Sequence, residues 1–115
     1  MTDEEIERRD EAFDEAHGAL AIGELERAVE GYRRTVELDP GFFDGWHALG
    51  LALMKNEQLK EAIGAALQAT TLCPNDQLAW TALSQMYVQD GQIAEAEAAK
   101  QNATILGIGG KVVKE

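Results

Sequence analysis

Residues 43–76 read FDGWHALGLALMKNEQLKEAIGAALQATTLCPND, and the blocks on either side are variations on them. Trp46 and Trp80, Pro40 and Pro74, and Ala28, Ala62 and Ala96 each stand 34 residues apart. Leu25, Leu59 and Ile93 keep that step, as do Leu38, Leu72 and Leu106. Independent series in one register mean an array of supersecondary units, none of which can bury its apolar face alone. The units fall at 9–42, 43–76 and 77–110, within one domain spanning 1–110.

The central unit carries Trp46-x2-Leu49-Gly50-x2-Leu53, then Ala62-x3-Ala66, then Pro74. It resembles the tetratricopeptide repeat, a 34-residue helix–turn–helix with W-x2-L-G-x2-Y, A-x3-F and P at those places. The third unit follows with Trp80-x2-Leu83-Ser84-x2-Tyr87 and Ala96, but Lys100 replaces the next aromatic residue. The first is weak early, with Ala12, Glu15, Ala16 and Ala19, and recovers with Ala28-x3-Tyr32 and Pro40. The resemblance implies an all-α solenoid of three helix–turn–helix repeats, six helices in all, followed by a short Gly-rich tail. Three repeats is near the minimum for a stable array.

The formal net charge of −11 argues against nucleic acid or an anionic membrane as partner, since both require a basic patch. It suits a basic partner, and it also serves solubility. Between Met1 and Glu15 lie eight acidic and two basic residues, so more than half of that net charge sits in the first helix. A solvated outer face on a terminal repeat accounts for it, the alternative being a contact for a basic partner. Cys73 is the single cysteine, so no internal disulfide is possible, and no sequence neighbour activates it. No apolar run is long enough to span a membrane. The acidic N-terminus is unlike a signal peptide, so a cytoplasmic location is expected.

Thr2-Asp3-Glu4-Glu5 has the form of a capping box, opening a helix to about Ile22. Helices are expected over Leu25–Leu38, Asp44–Lys55, Leu59–Leu72, Leu78–Gln89 and Ile93–Leu106. Turns fall at Gly23-Glu24, Asn56-Glu57-Gln58 and Asp90-Gly91, with stops at Asp39-Pro40 and Cys73-Pro74. Asp76 is placed to cap the fifth helix. Mid-helix glycine costs about 1 kcal/mol relative to alanine, so something should offset Gly50; in the repeat it resembles, two antiparallel helices approach most closely at this place. Ala16 and Ser84 hold the equivalent places, and Trp46 and Trp80 are expected in the core. The last helix puts Glu97 and Lys100 where Val29 and Tyr32 stand earlier, as a terminal repeat requires. The array is therefore expected to end there. The tail, 107–115, is expected to be flexible, or else to dock through Ile108, Val112 and Val113.

No nucleophile elbow, phosphate loop, zincin motif or paired-cysteine site occurs, so neither catalysis nor a cofactor is expected. In arrays of the family it resembles, the first helix of each repeat lines a concave groove. By position that groove takes Asp10, Phe13, Asp14, His17 and Leu20 from the first repeat. The second gives Asp44, His47, Leu51, Met54 and Lys55, and the third Leu78, Thr81, Gln85, Val88 and Gln89. His17 and His47, with Asp14 and Asp44, form the only constellation suited to a metal; lacking a fixed spacing, they are read instead as exposed groove histidines. Some members clamp a chaperone peptide's C-terminal carboxylate with Lys, Asn and Arg. Here those places hold Phe13, His17, Ala48, Leu78 and Ala82, so that role is not expected. The resemblance and the groove residues together imply non-catalytic binding of another protein through an apolar or basic segment, as an adaptor, assembly factor or small chaperone. The alternative is a structural subunit that self-associates or packs permanently into a larger complex.

Overall fold

The computed structural model describes residues 1–114, of which none lies in a β-strand. Six helices follow one another: α1 (Asp3–Ala21), α2 (Leu25–Leu38), α3 (Phe43–Lys55), α4 (Leu59–Leu72), α5 (Gln77–Gln89) and α6 (Ile93–Gly107). Each odd helix packs chiefly on the even helix after it, and α2 on α3 and α4 on α5 join the hairpins into a solenoid. Four boundaries move by one residue from the sequence expectation: α1 ends at Ala21, α3 starts at Phe43, α5 at Gln77, and α6 runs through Gly107.

Local chemistry sets these ends. Thr2 Oγ1 accepts from the Glu5 amide and Glu5 Oε1 accepts from the Thr2 amide, both at 3.2 Å. Those bonds hold the Glu5 carboxyl below the usual carboxylate range. Asp76 Oδ1 accepts from the Ala79 amide at 3.0 Å and caps α5. The hairpin turns share a left-handed residue at one register position: Gly23 at φ 80°, Glu57 at 62° and Gly91 at 76°. Only the middle repeat places a side chain in that sterically costly region.

Packing explains the repeated landmarks. Trp46 Nε1 donates to the Pro40 carbonyl at 2.7 Å, and Trp80 Nε1 to that of Pro74 at 2.8 Å. Each indole packs against the core while tying its own helix to the preceding stop, so tryptophan and proline recur together. A Cβ on Gly50 would lie 3.3 Å from Met86 Cε and 3.4 Å from the Ala62 carbonyl oxygen, confirming the close approach. One repeat on, Ser84 Oγ donates to the Ala96 carbonyl at 2.9 Å. In the first repeat the small residue changes sides: Ala16 faces Gly31, where a Cβ would meet that of Ala16 at 2.8 Å.

Both ends of the array are polar. Glu15 is exposed where its counterparts Leu49 and Leu83 are buried. Glu97 and Lys100 are exposed where Val29, Ile63, Tyr32 and Ala66 are buried. Beyond α6 the chain turns back to the α4–α5 turn. Asn75 Oδ1 accepts from the amides of Val112 and Val113, and its Nδ2 donates to the Val113 carbonyl, at 2.9–3.0 Å. One carboxamide thus satisfies three main-chain groups of the returning chain. Glu115 lies outside the described residues.

Candidate partner-binding groove

The groove begins with an aromatic cluster where α1 meets the α2–α3 turn. The Phe13 ring centroid lies 4.3 Å from His17, 5.8 Å from Tyr32 and 5.1 Å from Phe42. The Arg9 guanidinium sits 4.3 Å over Phe42, and its Nη1 donates to Asp39 Oδ2 at 2.9 Å. Bonds to Asp39 and then Asp10 raise the Arg9 pKa further, so its charge is permanent. Cation–π contact and ion pair together fix the start of α1 to the turn behind the groove.

Above this base a cavity of about 480 Å³ opens between α1, α2 and α3. Phe13, His17 and Leu20 come from α1, Tyr32 from α2, and Asp44, His47, Ala48, Leu51, Ala52 and Lys55 from α3. The walls are mostly apolar, with Asp44, Lys55 and two imidazoles as the polar groups, a composition usual for recognition sites. Tyr32 is fully buried, and burial pushes its hydroxyl pKa up. That hydroxyl is hydrogen-bonded to His17 Nδ1. His47 stacks on Phe43 at 5.7 Å with the rings 8° from parallel.

Of the groove residues expected from sequence, Phe13, His17, Leu20, Asp44, His47, Leu51 and Lys55 line this one cavity. Met54 instead packs against the core. Leu78, Thr81, Gln85 and Val88 share a face of α5 outside the cavity, with Leu78 at 70% and Val88 at 55% exposure. Tyr32, Ala48 and Ala52 were not expected in the wall. Tyr32 stands at the motif's aromatic core position, is buried, and still borders the cavity. His17 and His47 both border the cavity, but among the described residues no group of three or more His, Cys, Asp or Glu side chains is arranged to hold a metal ion. Among the described residues, too, no helix is long and apolar enough to cross a membrane. Cys73 is half-buried, and burial followed by the charges of Asp76 and Asp44 raises its thiol pKa, which disfavours the reactive thiolate.

A family model described as tetratricopeptide repeat matches residues 43–86. The peroxisomal targeting signal receptor of Kluyveromyces lactis is 33% identical over 67 residues, which is 58% of this chain and 12% of that protein. A solved structure of MamA superposes with a TM-score of 0.83 at 27% identity, covering 88% of this chain and 55% of that one. The second tetratricopeptide domain of Spaghetti, bound to an HSP90 peptide, superposes with a TM-score of 0.80 at 22% identity, covering 85% of this chain and 91% of that one. The chain thus spans a small part of the curated receptor and about half of the MamA chain. The matched family model, the recurring tryptophan–proline tie and these superpositions agree: the chain is an α-solenoid of three helix–turn–helix repeats, similar to the tetratricopeptide-repeat proteins.

Proposed function

We propose that this protein is a non-catalytic interaction module, an adaptor, assembly factor or small chaperone, whose groove holds a segment of another protein. The observation that carries this reading is the cavity walled by Phe13, Leu20, Tyr32 and Leu51, of a volume that accepts one or two bulky side chains. The exposed Leu78 and Val88 on α5 offer a second, open shelf. An amphipathic helix or extended segment would place its main anchor in the cavity and a second on the shelf.

Asp44 at the cavity, with Asp10 and Asp14 exposed on α1, favours a basic flank on that segment. The Spaghetti domain binds an HSP90 peptide. Here three of the positions corresponding to the carboxylate clamp of some family members are Phe13, His17 and Ala48 in the cavity wall. Those residues suit an apolar anchor better than a terminal carboxylate. The polar ends of the solenoid weigh against end-to-end stacking of copies through these surfaces.

Photoreactive residues at positions 51, 78 and 67 test this reading in native lysate. Position 67 lies on α4, on the side away from the groove, and is 43% exposed. The same partner cross-linked from 51 and 78 but not from 67 is the expected result. Cross-linking from 67 alone would move the site to the convex surface and overturn the proposal.

A further inference from the structure

The Tyr32 hydroxyl is buried, and its recorded partner is the Nδ1 atom of His17. Every buried side-chain nitrogen and oxygen among the described residues has a hydrogen-bond partner. From this pairing we infer that His17 is a proton gate on the cavity, so that an apolar anchor is held in neutral solution and released in mildly acidic solution. The inference rests on the groove reading above and adds regulation to that site.

With a neutral imidazole, Tyr32 O–H donates to Nδ1 and the ring proton sits on Nε2. Proton uptake makes Nδ1 a donor, and the tyrosine oxygen must then accept. Its own proton must then leave its only recorded partner, and an unmade bond at a buried hydroxyl is costly. The same proton places a positive charge beside Phe13 in the wall meant for an apolar anchor. Imidazole is the side chain whose charge changes between about pH 5 and 8.

The other titratable groups facing His17 are Asp14 on its own helix, Tyr32 on α2, and Asp44, His47 and Lys55 on α3 across the cavity. These groups bring both signs of charge to the cavity. The tyrosine bond and the apolar neighbours Phe13, Leu20 and Leu51 both disfavour a filled cavity once the exposed His17 is charged. His47 differs, since it stacks on the half-buried Phe43 and has no buried hydroxyl as partner.

A neutral fluorescent probe, N-phenyl-1-naphthylamine, is titrated into the protein at pH 7.5 and pH 5.5. Leu51→Glu identifies the signal that comes from the cavity. Binding about fivefold weaker at pH 5.5 is expected for the wild type. His17→Gln, which accepts from Tyr32 without gaining charge, should bind equally at both pH values, while His47→Gln should keep the loss. Equal binding by the wild type at both pH values, or an unchanged loss in His17→Gln, overturns the gate and leaves the groove reading intact. The absence of a Leu51-dependent signal at pH 7.5 overturns both. Without any ligand, long-range proton–nitrogen spectra at pH 7.5 should show His17 protonated on Nε2, and protonation on Nδ1 overturns the gate directly.

Discussion

The two halves of the groove share one backbone plan and differ in what stands beside them. Helix α1 has α3 as its neighbour along the groove, and the residues between them (Phe13, His17, Leu20, Leu51) enclose a cavity of about 480 Å³. Helix α5 has no following inner helix among the described residues, and its equivalent face leaves Leu78 70% exposed. The first inner helix thus lines a pocket together with α2 and α3. The last becomes an open shelf. Most of the binding energy should come from the walled half, because a more deeply seated anchor contributes more than a half-exposed contact.

The largest effect should come from the wall's own support. Leu53, on the same helix as Leu51, is in the core at 1% exposure, and Leu53→Ala should cost about 3 kcal/mol in urea unfolding. The half-buried Tyr87 stands at the same register in the open half, and Tyr87→Ala should cost less. Equal costs would mean that the two halves do not differ in packing. Next comes partner affinity: Leu51→Glu should weaken binding about a hundredfold and Leu78→Glu about threefold. Reversed losses would make the shelf the principal contact.

The hairpin between the halves offers a gain. Glu57→Gly should stabilise the protein by about 1 kcal/mol, since the left-handed turn then takes the residue found in the other two repeats. The smallest effect concerns surface ion pairs. Lys60 Nζ lies 2.6 Å from Asp90 Oδ2, and Arg33 Nη1 lies 2.6 Å from Glu61 Oε2, joining adjacent repeats. Lys60 and then Gln92 hold the Asp90 carboxyl below its ordinary value, and Arg33 does the same to Glu61. A lowered folded-state pKa gives stability that is present above the unfolded value and lost as pH falls through the folded one. The melting temperature should therefore decline below about pH 4, and Asp90→Asn should remove a small part of that decline.

How much of this was legible in the sequence follows from the range of the interactions. Trp46 with Pro40, Gly50 against Ala62, and the caps at Thr2 and Asp76 act within a hairpin or across its turn. Their spacing therefore fixed the helices to within one residue. Six of the expected groove positions, with Lys55, meet in the cavity because the repeat register places them there. The Asn75 clasp spans 37 and 38 residues, and its main-chain partners leave no mark on side-chain pattern. The His17–Tyr32 bond joins two residues whose separate positions were clear, but their pairing depends on how the α1–α2 hairpin turns one towards the other. Glu57 was placed in a turn, yet glutamate gives no cue to a left-handed backbone.

The account rests on the walled half of the groove as the place where a protein partner is held. The most direct measurement is calorimetric titration of the segment cross-linked from position 51, synthesised as a peptide, into the wild type and into Leu51→Glu. The account predicts saturable one-to-one binding by the wild type and an affinity about a hundredfold lower in the variant, with both proteins equally helical. Equal affinity in the two proteins would contradict it.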